Sequence, residues 1–250
     1  MDFRHLAIDI SEHACSIASL KADHFELLDC FLFEEKKDFQ YKERLSKALE
    51  KLNIGEVEEM TVSWQGEQCT LIPNGIFQAE NISDYLQLCY EEKISKQEVD
   101  FNRLFSSDMV NVYSIPHWLK SFFVMRYPRV KTLHPYTHLI PALENKWKKN
   151  QVFCLIFPER MILMIGQLGK LKFCNNYPCS QVEDVLYYLS FALKQQGIDQ
   201  EIDILCSLDP LNESIQQTAL QEKAKTIELF KQAKWQFEDY FTLKSHQFCV

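Results

Sequence analysis

The segment His5-Leu6-Ala7-Ile8-Asp9-Ile10-Ser11, followed after a short turn by Ala14-Cys15-Ser16-Ile17-Ala18-Ser19-Leu20, decides how this chain reads. Leu6, Ile8 and Ile10 recur at every second residue, the period of a strand, and Ile17 and Leu20 mark a second strand returning beside it from Ala14 to Lys21. Phe25 to Phe33 is a third, nearly continuous apolar run, so the three predict an antiparallel meander. One residue is discordant. Asp9 places a carboxylate inside an apolar strand, where burial is costly unless the acid is paired or sits at the strand's wet end. Bonding to the backbone of the turn near Ser11 and Glu12 would be the plainest arrangement.

Outward from the meander, Asp38 to Leu52 predicts a helix with Leu45, Leu49 and Leu52 on one stripe, stopped at Gly55. Met60 to Trp64 and Gln68 to Ile72 read as strands about Gln65-Gly66, and Ser83 to Tyr90 as a short helix. Strand, helix, strand and helix signals follow at Met109 to Ser114, Pro116 to Arg126, Arg129 to Leu133 and Thr137 to Lys148. The second half repeats the opening. Val152 to Phe157, Arg160 to Ile165 and Lys170 to Asn175 are three short strands, and Ser180 to Lys194 is a helix with Ser180 and Glu183 in capping-box spacing. Ile202 to Cys206 predicts a strand, Pro210 the start of a helix, and Thr226 to Phe230 a further strand. This repeat predicts an α/β chain of two lobes, 1–134 and 135–250, each a mixed sheet with helices on both faces and with a cleft between them.

Composition removes several functions. The chain has 250 residues and six glycines, about 2% where ~7% is usual. Phosphate-cradling loops need glycine for positive φ and for close backbone approach. GxGxxG, GxxxxGK[ST] and GxSxG are all absent. The longest apolar stretches, such as Val152 to Phe157, fall far short of the ~18 residues of a membrane-spanning helix. With no signal-peptide pattern at the start, a cytoplasmic address is expected. The nine scattered cysteines, whose nearest pair Cys174 and Cys179 is spaced CxxxxC, read as reduced structural thiols. His134 and His138 fall at i and i+4, but Pro135 interrupts them and no third ligand is near in sequence, so a helix start with hydrogen bonding between lobes is preferred to zinc.

The strand ending at Asp9-Ile10-Ser11 and turning directly into the next resembles the first phosphate motif of the actin-like ATPase superfamily, whose lobes are RNase H-like. Val130-Lys131-Thr132-Leu133-His134 and the helix after it resemble the lead into the second lobe of the PilM, GspL and FtsA branch, and the whole pattern resembles an uncharacterised bacterial family of this fold. The resemblance implies that Asp9 and Ser11 are relic phosphate-side, cofactor-binding positions. It implies ATP with Mg²⁺ as the superfamily's cofactor. Setting Ala7-Ile8-Asp9-Ile10 against Cys154-Leu155-Ile156-Phe157 places Ile156 where the second motif carries its acid, and Cys206-Ser207-Leu208-Asp209-Pro210 lacks the glycine pair expected at adenosine. Magnesium needs hard oxygen ligands, and hydrocarbon supplies none. No cofactor, no metal and no catalytic residue are therefore expected. The expected role is a catalytically inactive cytoplasmic scaffold or adaptor that binds a partner protein segment, and the alternative is a nucleotide-binding ATPase or switch using Asp9.

Charge gives one more lead. Lys120, Arg126, Arg129, Lys131, Lys146, Lys148 and Lys149 stand against Glu144 alone between Pro116 and Asn150, so this stretch is strongly basic in a chain of net charge −8. With Trp118 and Trp147 interleaved, it could serve an anionic partner such as RNA, anionic lipid or an acidic protein. Two solvated helices with lysines at their C-terminal ends are the simpler reading.

Overall fold

The computed structural model describes residues 5–21, 24–34, 37–52, 57–91, 94–144, 146–147, 150–199, 202–212 and 214–249. They form two compact units, one of Met1–Pro141 with Leu243–Val250 and one of Ala142–Thr242.

The first unit opens on the predicted meander: β1 (His5–Ile10), β2 (Ala14–Lys21) and β3 (His24–Leu32). Helix α1 (Asp38–Lys51) buries Tyr41, Leu45, Ala48 and Leu49, and Gly55, the expected stop, lies outside the described residues. Strand β4 (Glu59–Trp64) pairs parallel to β1, with Ala7 opposite Thr61 and Asp9 opposite Ser63. An insertion follows. It comprises β5 (Cys69–Pro73), α2 (Ile82–Cys89), β6 (Val99–Leu104) and β7 (Met109–Ser114), in a three-stranded sheet of order β5-β7-β6. Strands β4 and β5 therefore belong to different sheets, and the segment about Gln65-Gly66 crosses from one sheet to the other. Leu86, Val99, Val110 and Val112 give the insertion its own small core. The chain returns through α3 (His117–Arg126) and β8 (Lys131–Leu133), which completes the main sheet in the order β3-β2-β1-β4-β8, and enters α4 (Pro135–Glu144).

The second unit rebuilds the same order. Strands β9 (Gln151–Ile156), β10 (Arg160–Gln167) and β11 (Lys170–Pro178) form the meander, and α5 (Val182–Gln195) follows. Asp184, one residue beyond the expected Glu183, closes the start of α5 by accepting from the backbone N–H groups of Ser180 and Gln181 at 2.9 and 3.0 Å. Strand β12 (Asp203–Leu208) lies parallel to β9, and after α6 (Gln217–Ala224) strand β13 (Lys234–Phe237) completes the order β11-β10-β9-β12-β13. Pro210 does not start a helix. The Asp209 side chain accepts from the backbone of Leu211 at 2.9 Å and holds a turn there. Thr226 to Phe230 is a turn and a 3-10 segment rather than a strand, because Ile227, Leu229 and Phe230 all drop onto the core. The short helix α7 (Phe241–Ser245) ends this unit's share of the chain, and a 3-10 turn over His246–Cys249 follows in the first unit.

Both main sheets are covered on both faces. In the first unit Trp64 meets Trp118 of α3, which stacks on Tyr41 of α1 at 5.0 Å, while Ser63, on the other face, bonds His138 of α4. In the second, Val152, Cys154 and Ile156 pack with the apolar stripe of α5, and Phe153 on the opposite face meets Phe241 at 4.9 Å.

Candidate functional site

The parallel register puts Asp9, Thr61 and Ser63 on one face of the first sheet. Two further segments cover that face. Pro135, suited to a helix's first turn, opens α4 and brings His138 over Ser63. The chain's return through Leu243–Cys249 brings His246 over Asp9, 237 residues away in sequence.

The result is a buried polar network. The Asp9 carboxylate accepts from Nε2 of His246 at 3.0 Å. Nδ1 of His246 meets the Thr61 hydroxyl at 2.7 Å, and the same hydroxyl meets Nε2 of His5 at 2.7 Å. Burial, with the nearby charges of His246 and Lys131 behind it, lowers His5 to about 4, so its ring is neutral at neutral pH. Every group is satisfied when His5 donates to Thr61, Thr61 donates to His246 and His246 donates to Asp9. His138 stands beside this run, its ring 4.4 Å from that of His246, with Nε2 at 3.0 Å from Ser63 Oγ and Nδ1 at 2.6 Å from Ser245 Oγ. Burial above all, then His246 and His134, holds its basicity well below the usual histidine range. Both rings are fully buried and Asp9 is 5% exposed, so this network is closed off from solvent.

Asp9 does not cap the β1–β2 turn. Ser11 does, its Oγ accepting from the backbone of His13 and Ala14 at 3.1 and 3.0 Å. His134 belongs to a second network: its Nδ1 accepts from the backbone of Tyr136 at 3.2 Å and faces the Asn111 amide at 3.3 Å, and its Nε2 faces the Gly66 carbonyl at 3.2 Å. His134 and His138 thus part company, and the third member for His138 is His246, which no local spacing could announce.

The ladder also corrects the comparison of the two meanders. Ile10 pairs with Cys15 and Trp64, and Ile156 pairs with Met161 and Leu208, so Ile156 corresponds to Ile10 and the counterpart of Asp9 is Leu155. A shift of one residue exchanges faces, and Ile156 lies on the α5 side. The counterpart of Asp9 is thus Leu155 rather than Ile156, and both are hydrocarbon.

The basic stretch is partly engaged within the fold. Lys120 pairs with Asp100 at 2.7 Å, Lys131 lies 3.9 Å from Glu59, and Lys146 lies 3.6 Å from Glu238 and over the Phe241 ring. Arg126 lies over Phe122, Arg129 is exposed, and Lys148 and Lys149 lie outside the described residues. Trp118 and Trp147 are buried, which withdraws the aromatic half of a nucleic-acid surface. All nine cysteines are free thiols, and no helix among the described residues is long and apolar enough to cross a membrane.

Known structures share this architecture. A Bacteroides thetaiotaomicron protein with an actin-like ATPase fold and unknown function is similar with a TM-score of 0.81 and 16% identity, over 98% of this chain and 96% of that one. The PilM-PilN type IV pilus biogenesis complex is similar with a TM-score of 0.55 and 10% identity, over 98% of this chain and 90% of that one. At such identities the likeness establishes the fold, which is the actin-like ATPase fold. No curated protein matches the chain. Residues 3–213 match the model of a family described as a protein of unknown function (DUF3822), and the chain belongs to that family.

Proposed function

We propose that this protein is a catalytically silent actin-like fold that works in the cytoplasm as a scaffold or adaptor for a segment of a partner protein. The observation that carries the reading is the engagement of Asp9, whose buried carboxylate is taken up by His246. Leu155, its counterpart in the second unit, is hydrocarbon. A site for Mg²⁺ and phosphate needs exposed hard oxygens, and neither position offers one. Asp9 and Ser11 are on this reading relics of a phosphate-side site, and the protein needs no ATP or magnesium. The similarity to PilM, whose structure is that of a complex with PilN, supports a protein partner. The end strands β3 and β11 offer backbone groups to which an extended segment could add as a further strand.

Isothermal titration of the full chain with ATP and Mg²⁺ tests the reading, and no binding is expected. Tight binding with turnover that Asp9→Ala abolishes would replace it with a nucleotide-driven enzyme or switch. That alternative calls for a further carboxylate beside Asp9. Among the described residues, the ligand-bearing groups gathered with Asp9 are the imidazoles of His138 and His246.

A further inference from the structure

We propose that Asp9, His138 and His246 form a buried site for a single divalent transition-metal ion, with zinc the best match to its donors. One ligand atom from each residue lies within 4.8 Å of the other two, although the three come from a strand, a helix and the returning C-terminal segment. A tetrahedral zinc with ligand bonds of 2.0–2.1 Å spaces its ligands about 3.3 Å apart, so small side-chain rotations bring the set to coordinating distance. The Asp9–His246 pair, at 3.0 Å, is already there.

The donor set and its surroundings suit such an ion. Two imidazoles, which are borderline donors, beside one hard carboxylate favour zinc over magnesium or calcium. Metal-bound imidazoles keep their orientation through a bond at the far ring nitrogen, and Thr61 supplies one to His246 Nδ1 at 2.7 Å. Ser63 and Ser245 hold the two nitrogens of His138, so coordination would cost it one hydroxyl bond and leave the other in place. The carboxylate offsets part of the ion's charge, and a water or hydroxide would complete four-coordination. Because the ligands lie in residues 9, 138 and 246, the ion would tie the C-terminal segment to the first sheet and enter as that segment folds. Whether the His246 N–H or a metal ion engages Asp9, the acid is taken up, so this proposal is independent of the scaffold reading.

The test uses the full chain, purified without chelator and, separately, refolded from denaturant with Zn²⁺ so that burial does not block loading. Elemental analysis after gel filtration should find one zinc per chain. Refolding with Co²⁺ should give visible d–d absorption without sulfur-to-metal charge transfer, which separates this site from the nine thiols. Asp9→Asn, His138→Gln and His246→Gln should each abolish it, while Cys154→Ser retains it. A zinc-refolded wild-type chain that is folded and metal-free would overturn the proposal and leave a hydrogen-bonded network only. Metal carrying a thiolate charge-transfer band would overturn it equally, and these two readings of the wild-type chain decide the matter even where a variant fails to fold.

Discussion

His5 shows how burial, with the charges of His246 and Lys131 behind it, sets a pH response. Its ring bonds Thr61 at 2.7 Å and its pKa is lowered to about 4, whereas in the unfolded chain it returns to ~6.5. The unfolded state therefore takes up the proton first. The stability linked to His5 is fully present above pH ~6.5 and is lost as pH falls towards 4. Urea midpoints of chelator-treated protein, measured from pH 7.5 downwards, should fall through that window, and His5→Gln, which still reaches Thr61 but does not titrate, should flatten the slope. An equal slope in both proteins would show that other groups carry it. Asp9 was legible at this scale because an acid in an apolar strand demands a partner. The partner was not, since hydrogen bonds across 237 residues leave no mark in local spacing. The slip from Leu155 to Ile156 has a similar origin: apolar residues on both faces of a doubly covered strand carry no alternation to fix the register.

Among the elements, those with apolar periodicity lie within two or three residues of the expected bounds, except α4, which ends at Glu144 rather than Lys148, and those whose polar side chains turn inward are not legible. Strand β6 carries Asp100 and Asn102, and both are used inside the fold: Asp100 accepts from Lys120 and Thr132, and Asn102 accepts from Thr137. Polar residues so employed make a strand look like a loop. Strand β13 was missed because it has only four residues, with Trp235 and Phe237 as its alternating pair. Strand β10 illustrates a different constraint. Its register shifts between Ile165 and Gly166, and a Cβ on Gly166 would lie 2.1 Å from the ring of Trp147. Gly166→Ala must displace a buried indole, and overpacking of this kind costs about 1–3 kcal/mol. The denaturation midpoint should fall accordingly, with a change in native tryptophan emission. An unchanged midpoint would mean that the indole moves aside freely.

At the scale of the molecule, the doubled plan was legible because each copy repeats a meander, a helix and a parallel strand. The inserted sheet β5-β7-β6 and the return of Leu243–Val250 to the first unit were not, since neither has a counterpart in the other copy. That return covers the face of the first sheet with His246, bonded to Asp9 and Thr61, beside Ser245, bonded to His138, and both are buried. Truncation after Thr242 should therefore strip hydrogen-exchange protection from β1, β4 and α4 and leave β9, β10 and α5 protected. Uniform loss across both units would show instead that they unfold as one. The same feature sets an order of events during translation. A nascent chain that has emerged as far as Thr242 holds all of its second unit and an open face on its first, so the part synthesised earliest is the part completed last. Until the segment from Leu243 onward has emerged as well, that exposed sheet is a target for chaperones.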